Sequence, residues 1–387
     1  MADCWWGLVE QKEQEYNFEP YLQLTQMAAD AGLKMEYVLS FHQCGGNVGD
    51  TCDYPLPNWA VQSSEDIWYQ DQHGNKDYEY ISLFADDVAV LGSLKRTPVQ
   101  AYADFMAAFT TSLSKYIGST IVELQVGTGP AGELRYPSYQ LDKWSFCGVG
   151  EFQSYSSYAT ASLQVAAAGV GHPEWAEAGG PSNAGTYNSK PYETGFFSDN
   201  GGDNFRSDYG KFFLGWYADS LLAHGQALLS AAKSVVGSSV SLSLKVAGIH
   251  WWYFDSSHAA ELTAGYYNIN GARDIYSEIA QMLTSYNTTF DFTCLEMNDS
   301  EQPTECLCGP YELVQQTKQA ALNYKSAYSG ENALQRYDQR AYDTIKSQAT
   351  SQGSDIEAFT YLRLTDDLMS GSNWDIFSQF VSDMNEL

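Results

Sequence analysis

The chain has 387 residues, 48 of them acidic and 20 basic, giving a formal net charge of −28; it is 44% hydrophobic, with 28 Tyr and 10 Trp. That apolar content excludes wholesale disorder, and the acidic excess excludes nucleic acid and an anionic membrane as partners. No run of 18 apolar residues occurs, so no membrane-spanning helix is expected; the length suits two or three domains of about 100–200 residues or one large α/β barrel.

In chain order, residues 1–4 read as the end of a strand, without the basic and apolar regions of a signal peptide. A helix is predicted over 18–32, with Leu22, Leu24, Met27, Ala28 and Ala31 on one side and Gly32 as its stop. A strand follows at 34–41, then a hairpin at 66–83 that turns at His73-Gly74-Asn75. Helices are predicted at 98–117, 152–168, 209–236, 272–286, 310–328, 339–352 and 374–384. Between them lie strands at 120–126, 240–247, 290–295, near Glu331, and at 358–364. Strand then helix, repeated, argues for a parallel sheet covered by helices. The strands that end near residues 4, 41, 126, 247, 295, 331 and 364 make seven, whereas a closed (β/α)8 barrel has eight. No linker divides the chain, so 1–387 is read as a single domain. The long loops 42–65, 127–150 and 169–207 are expected at its functional face.

Seven cysteines (4, 44, 52, 147, 294, 306 and 308) are too few for a disulfide scaffold in so long a chain. Cys306-Leu-Cys308 lacks zinc-ribbon spacing, so no metal is expected. Gly127-Thr-Gly129-Pro-Ala-Gly132 has the form GxGxxG, but Pro130 and Glu133 spoil it as a pyrophosphate cradle. The same segment reads better as a loop that presents Glu133 beside Arg135, Tyr136 and Pro137. Partial desolvation there would suit a general acid; the plainer alternative is a surface carboxylate paired with Arg135. Glu331, at another strand end, offers a second carboxyl on the same rim.

The loop from Phe41 to Asp50 carries His42, Cys44 and three glycines, a composition suited to a lid. Lys245, His250, Trp251, Trp252 and Tyr253 place a cation, an imidazole and three rings on one rim, and Trp5-Trp6 adds two more rings. Aromatic faces beside hydrogen-bonding groups suit sugars, although core packing explains tryptophans equally. Of seven arginines, Arg135, Arg336 and Arg363 fall in these rim segments.

Taken in order, Asp3-Cys-Trp-Trp-Gly7, Ser40 to Asp50, Gly129 to Tyr139, Gly248-Ile-His-Trp-Trp-Tyr253, His258 to Gly265, Phe292-Thr-Cys-Leu-Glu-Met297, Glu331-Asn-Ala-Leu334 and Phe359-Thr-Tyr-Leu-Arg363 resemble the β-amylases, glycoside hydrolase family 14, nearest their plant-like branch. The resemblance runs from Met1 to about Met384 and implies a (β/α)8 TIM barrel. It implies hydrolysis of α-1,4-glucans such as starch, amylose or maltodextrin from the non-reducing end, with release of β-maltose and no cofactor. By the same resemblance Glu133 is the acid and Glu331 the base of an inverting pair, whose carboxyls stand about 6.5–9.5 Å apart. Asp50 matches a mobile-loop aspartate and Thr293 an inner-loop threonine. Asp3, His42, Lys245, His250, Asn332, Ala333, Leu334 and Arg363 match glucan-contacting positions. Cys44 and Cys52 match a spacing that is disulfide-bonded in some members.

Two departures carry expectations. Gln335 stands where the family usually has Pro and is expected to loosen the base's loop. The family also has a strand and helix ahead of the segment at Asp3, so the chain is expected to be truncated at its N-terminus and short of the first strand. A monomer is expected, and either a secreted or an intracellular setting. Rival readings are a non-catalytic glucan-binding scaffold on the same fold and a retaining glycosidase on a similar barrel.

Overall fold

The computed structural model describes residues 1–47 and 50–387; Val48 and Gly49, in the glycine-rich loop singled out above, lie outside the described residues. The strands are Ala2–Trp5 (β1), Met35–Ser40 (β2), Trp68–Gln70 (β3), Lys76–Ile81 (β4), Ile121–Val126 (β5), Ser241–Val246 (β6), Asn268–Ile269 (β7), Arg273–Asp274 (β8), Thr288–Phe292 (β9), Tyr328–Glu331 (β10) and Phe359–Thr360 (β11). Seven of them form one sheet in the order β1-β2-β5-β6-β9-β10-β11, every pair parallel. β3–β4 and β7–β8 are small antiparallel pairs on the connections.

The helices are Trp6–Val9 (α1), Glu19–Asp30 (α2), Asn58–Val61 (α3), Pro98–Ser112 (α4), Ser157–Gly169 (α5), Asp208–Val236 (α6), Ala259–Thr263 (α7), Ile275–Ser285 (α8), Pro310–Tyr324 (α9), Gln339–Ala349 (α10) and Gly371–Met384 (α11). The longer ones carry sequence-encoded ends. Thr97 and Gln100 form a capping box for α4, with Pro98 in its first turn. Ser207 caps α6, which stops at Gly237, where φ is +77°. None of the described helices is long and apolar enough to cross a membrane.

Strand order and helical cover follow the sequence reading: these are the successive strands of a (β/α) barrel wall, with β1 and β11 at the ends of the sheet. The inner face is unusually polar. In β6, Leu242, Leu244 and Val246 alternate with Ser243 and Lys245, so one face is apolar and the other polar. Lys245 is in register with Asp291. Asp291 accepts hydrogen bonds from Gln125 Nε2 at 2.9 Å and Ser329 Oγ at 2.8 Å. A chain of buried polar groups therefore leads from the sheet interior up to Glu331.

Several boundaries differ from the sequence reading for local reasons. The strand expected over 358–364 pairs only at Phe359–Thr360. Beyond it, the Asn332 side chain takes over the partnering: Leu362 N–H donates to Asn332 Oδ1 at 2.7 Å, and Asn332 Nδ2 donates to Leu362 O. The helix expected to reach 328 stops at Tyr324, because Lys325 turns left-handed (φ 60°). The segment 169–207 contributes no residue to the wall of the central cavity; it backs the loop near Gly150, with Val149 N–H bonded to Ser189 O and Gly150 N–H to Tyr187 O.

Cys44 and Cys52 form a disulfide. A second one, Cys147–Cys306, joins positions 159 residues apart, and its spacing gave no sign of it in the sequence. On a chain-entropy basis so long a closed loop is worth about 5 kcal/mol. Replacing both Cys147 and Cys306 by Ser should therefore lower the thermal midpoint by many degrees. An unchanged melting curve would show the bridge to be energetically idle.

Candidate active site

The C-terminal ends of the sheet strands open into a cavity of about 470 Å³. Glu331 is the last residue of β10 and is 1% exposed. Its Oε1 receives Lys245 Nζ at 3.0 Å, and its buried Oε2 has no hydrogen-bond partner among the described residues. Burial pushes its carboxyl above the usual range; Lys245 opposes that, and the neighbouring Glu133 and Asp3 add to it. Lys245 stays charged: burial alone would lower its pKa, but Glu331, Glu133, Asp291 and Asp3 outweigh that and raise it.

Glu133 lies just past the turn 130–132, on a segment that bridges to Lys245; the next residue, Leu134, donates its N–H to Lys245 O at 2.8 Å. The two carboxyls are thus tied to one lysine, Glu331 by its side chain and Glu133 by its backbone segment. Glu133 Oε2 accepts Arg135 Nε at 2.6 Å, so the pairing considered as its plainer alternative is present, inside the cavity wall rather than at the surface. Arg135 is 3% exposed and stacks over the Tyr139 ring at 4.3 Å, which fixes the guanidinium.

Asp3 and His42 reach the cavity from β1 and from the end of β2. Asp3 accepts Ser40 Oγ at 2.8 Å, and burial raises its pKa. His42 packs edge-on against Trp5; burial, with Lys245 and Arg135 close by, holds it neutral with a pKa of about 3. His250, also neutral with its pKa lowered to about 4 by burial, bonds through Nδ1 to Gly248 O at 3.0 Å. Thr293 Oγ1 accepts Gly248 N–H at 2.6 Å, which ties the loop after β9 to the loop after β6. Asp50 and the disulfide-bonded Cys44 and Cys52 also line the cavity. Asp50 Oδ2 accepts the N–H groups of Gly45 and Asn47 at 2.9 and 3.0 Å.

Ala333, Leu334 and Arg363 line the cavity, and Asn332 does not. Its amide also donates to Leu334 O at 3.0 Å, so it braces the loop as well as the segment at Leu362. The residues just before Gln335 are pinned from two sides. The second pin is Glu296, whose role no local sequence signal marks. Glu296 is 1% exposed and accepts Ala333 N–H at 3.1 Å and Leu334 N–H at 2.7 Å.

Burial raises the Glu296 carboxyl to about 7. The native state then holds a proton that the unfolded chain has released, so its contribution to stability falls as pH rises from about 4.5 through 7. We expect Glu296→Gln to lose about 2–4 kcal/mol at low pH, because its NH₂ must face a backbone N–H. The gap to the wild type should narrow toward pH 7. Denaturant midpoints at pH 5 and 8 check this, and a gap that widens with pH contradicts it.

A second supporting carboxylate is equally unmarked in the sequence. Glu79, within β4, accepts Ala131 N–H at 2.7 Å and the Asn47 amide, and Arg135 Nη2 donates to Asn47 Oδ1 at 3.2 Å. Glu79 therefore links the loop of Glu133 to the loop of Asp50. No cluster of three or more His, Cys, Asp or Glu side chains suited to a metal occurs among the described residues.

A buried carboxyl, Glu331, and a partly exposed one, Glu133, tied to one lysine by side chain and by backbone respectively, in an aromatic cavity at the C-terminal mouth of a (β/α) barrel wall, define the site of a glycoside hydrolase. The sequence comparisons narrow the class. Residues 1–387 match glycosyl hydrolase family 14, and the chain belongs to that family. "Beta-amylase 1, chloroplastic" from Arabidopsis thaliana is 49% identical over 401 residues, taking in 100% of this chain and 69% of that one. "Beta-amylase" from Vigna unguiculata is 44% identical over 400 residues, taking in 100% of this chain and 79% of that one. Among solved structures, the catalytic domain of β-amylase from Paenibacillus polymyxa superposes with a TM-score of 0.79 at 30% identity, covering 98% of this chain and 90% of that one.

Proposed function

We propose that the chain, acting as one catalytic unit, hydrolyses α-1,4-glucosidic bonds of starch-type glucans from their non-reducing ends and releases β-maltose with inversion. The observation that carries this is the arrangement around Lys245: one buried carboxyl with a free oxygen, Glu331, and a second, Glu133, on the segment bridged to the same lysine.

In this reading Glu133 gives its proton to the glycosidic oxygen as the bond to the anomeric carbon breaks. Glu331 takes a proton from a water molecule, whose oxygen bonds to that carbon from the opposite face. Lys245 has one electrostatic task, to keep Glu331 ionised against burial and two nearby carboxyls. Trp5, Tyr139, Trp144, Phe146 and Trp251 offer ring faces to the sugars, while Asp3, Asp50, His42, His250 and Arg363 offer polar groups for hydroxyls. His250, held neutral with its Nδ1–H on Gly248 O, has Nε2 left to accept from a hydroxyl.

Chromatography of early products from soluble starch tests the reading. Maltose should be the sole early sugar; glucose or a ladder of longer oligosaccharides would overturn the exo-acting, maltose-releasing assignment.

A further inference from the structure

A second cavity, of about 540 Å³, shares no lining residue with the first. Its neighbour in the chain is the same rim segment: His250 and Trp251 line the active-site cavity, and Tyr253 and Phe254 line this groove. Phe254 is 54% exposed, yet its ring is not loose. Both rings rest on the backbone at Gly309, where an added Cβ would come within 2.4 Å of Tyr253 and 3.0 Å of Phe254. The Phe254 N–H is held by Leu307 O at 3.0 Å. The two rings meet at 74° with centroids 5.4 Å apart, so they form a fixed corner.

The groove's polar lining is equally ordered. Asn268 and Gln316 exchange amide hydrogen bonds of 3.1 and 2.9 Å, Tyr253 OH donates to Gln316 Oε1 at 3.1 Å, and Asn268 Nδ2 also donates to the buried Glu261 at 3.0 Å. Asp255, Asp299 and Glu312 also line the groove, against one guanidinium, that of Arg206. This balance repels anions. A fixed ring corner beside planar amides and carboxylates is the chemistry that recognises a neutral polyhydroxylated ligand, with its C–H face on the ring and its hydroxyls on the polar groups.

We propose that this groove is a second α-glucan-binding site, which holds a neighbouring strand of a polymeric substrate while the active site works at a chain end. The choice of glucan as the sugar rests on the function proposed above; the groove's selection of a neutral polyol does not. Two engaged sites on one rigid rim raise the residence time on a multivalent surface such as a starch granule, and leave a short free oligosaccharide unaffected.

The test compares wild type, Phe254→Ala and Gln316→Ala in two assays: co-sedimentation with insoluble starch granules, and kcat/KM on maltotetraose. Both variants should lose granule affinity by about three- to tenfold, while kcat/KM on maltotetraose stays within about twofold. Wild-type sedimentation in both variants would overturn the site. So would a parallel fall in both assays, which would place these residues in the catalytic machinery or in the fold. If the wild type released no maltose from maltotetraose but the variants still lost granule binding, the catalytic reading would fail and the groove would stand.

Discussion

Glu331→Gln should lower kcat on starch by roughly 10²–10⁴, and Glu133→Gln by a similar factor, with little change in glucan binding. The amide keeps the shape of each side chain and removes its proton chemistry, together with the charge that faces Lys245 in Glu331 and Arg135 in Glu133. For Glu331 the consequence is direct. Its Oε2 is the one buried, unpartnered acceptor on this residue, and an amide there cannot take a proton from water. For Glu133 the amide cannot deliver a proton to the leaving oxygen. A substrate with a good leaving group, such as a nitrophenyl maltoside, should therefore recover part of the loss in Glu133→Gln and none in Glu331→Gln. Near-normal turnover in either variant would remove that residue from the mechanism. The same rescue in both would mean that the acid and base are interchanged or misplaced.

Lys245→Met carries the next largest effect. It leaves Glu331 buried beside Glu133 and Asp3 without its ion-pair partner. Burial already raises the Glu331 pKa, and Lys245 is the principal group holding it down. Without the lysine the pKa climbs further, so the base is protonated over more of the acidic range. The acidic limb of the kcat/KM profile should move to higher pH, and activity at pH 5 should fall by about 10²–10³. The methionine keeps the bulk of the side chain, so repacking is modest. A pH–rate profile checks this, and an acidic limb that stays in place or moves down would show that Lys245 does not tune the base.

Much of this site is legible in the sequence because its parts are short motifs at strand ends. Alternation in Ser-Leu-Ser-Leu-Lys-Val fixes which face Lys245 occupies, and the strand count follows from the repeated strand–helix pattern. What is not legible depends on partners far apart in the chain. Glu296 looks like one carboxylate among 48, and only its two bonds to the amides of Ala333 and Leu334 reveal it as the brace of the base's loop. Glu79 belongs to a hairpin whose alternation says nothing of Ala131 or Asn47. Cys147 and Cys306 carry no spacing signal across 159 residues. Asn332 falls in a motif that resembles a sugar contact, but its amide serves as a surrogate strand partner for Leu362.

The central claim is that Glu331 activates water against the sugar while Glu133 protonates the leaving group, in a single displacement. The most direct test is proton NMR of the first maltose released from a maltooligosaccharide, recorded before mutarotation equilibrates the anomers. The account predicts β-maltose alone at early times, decaying toward the α/β mixture. Initial α-maltose would require a double displacement through a covalent glycosyl-enzyme and would contradict the assignment of Glu331 as a base acting on water.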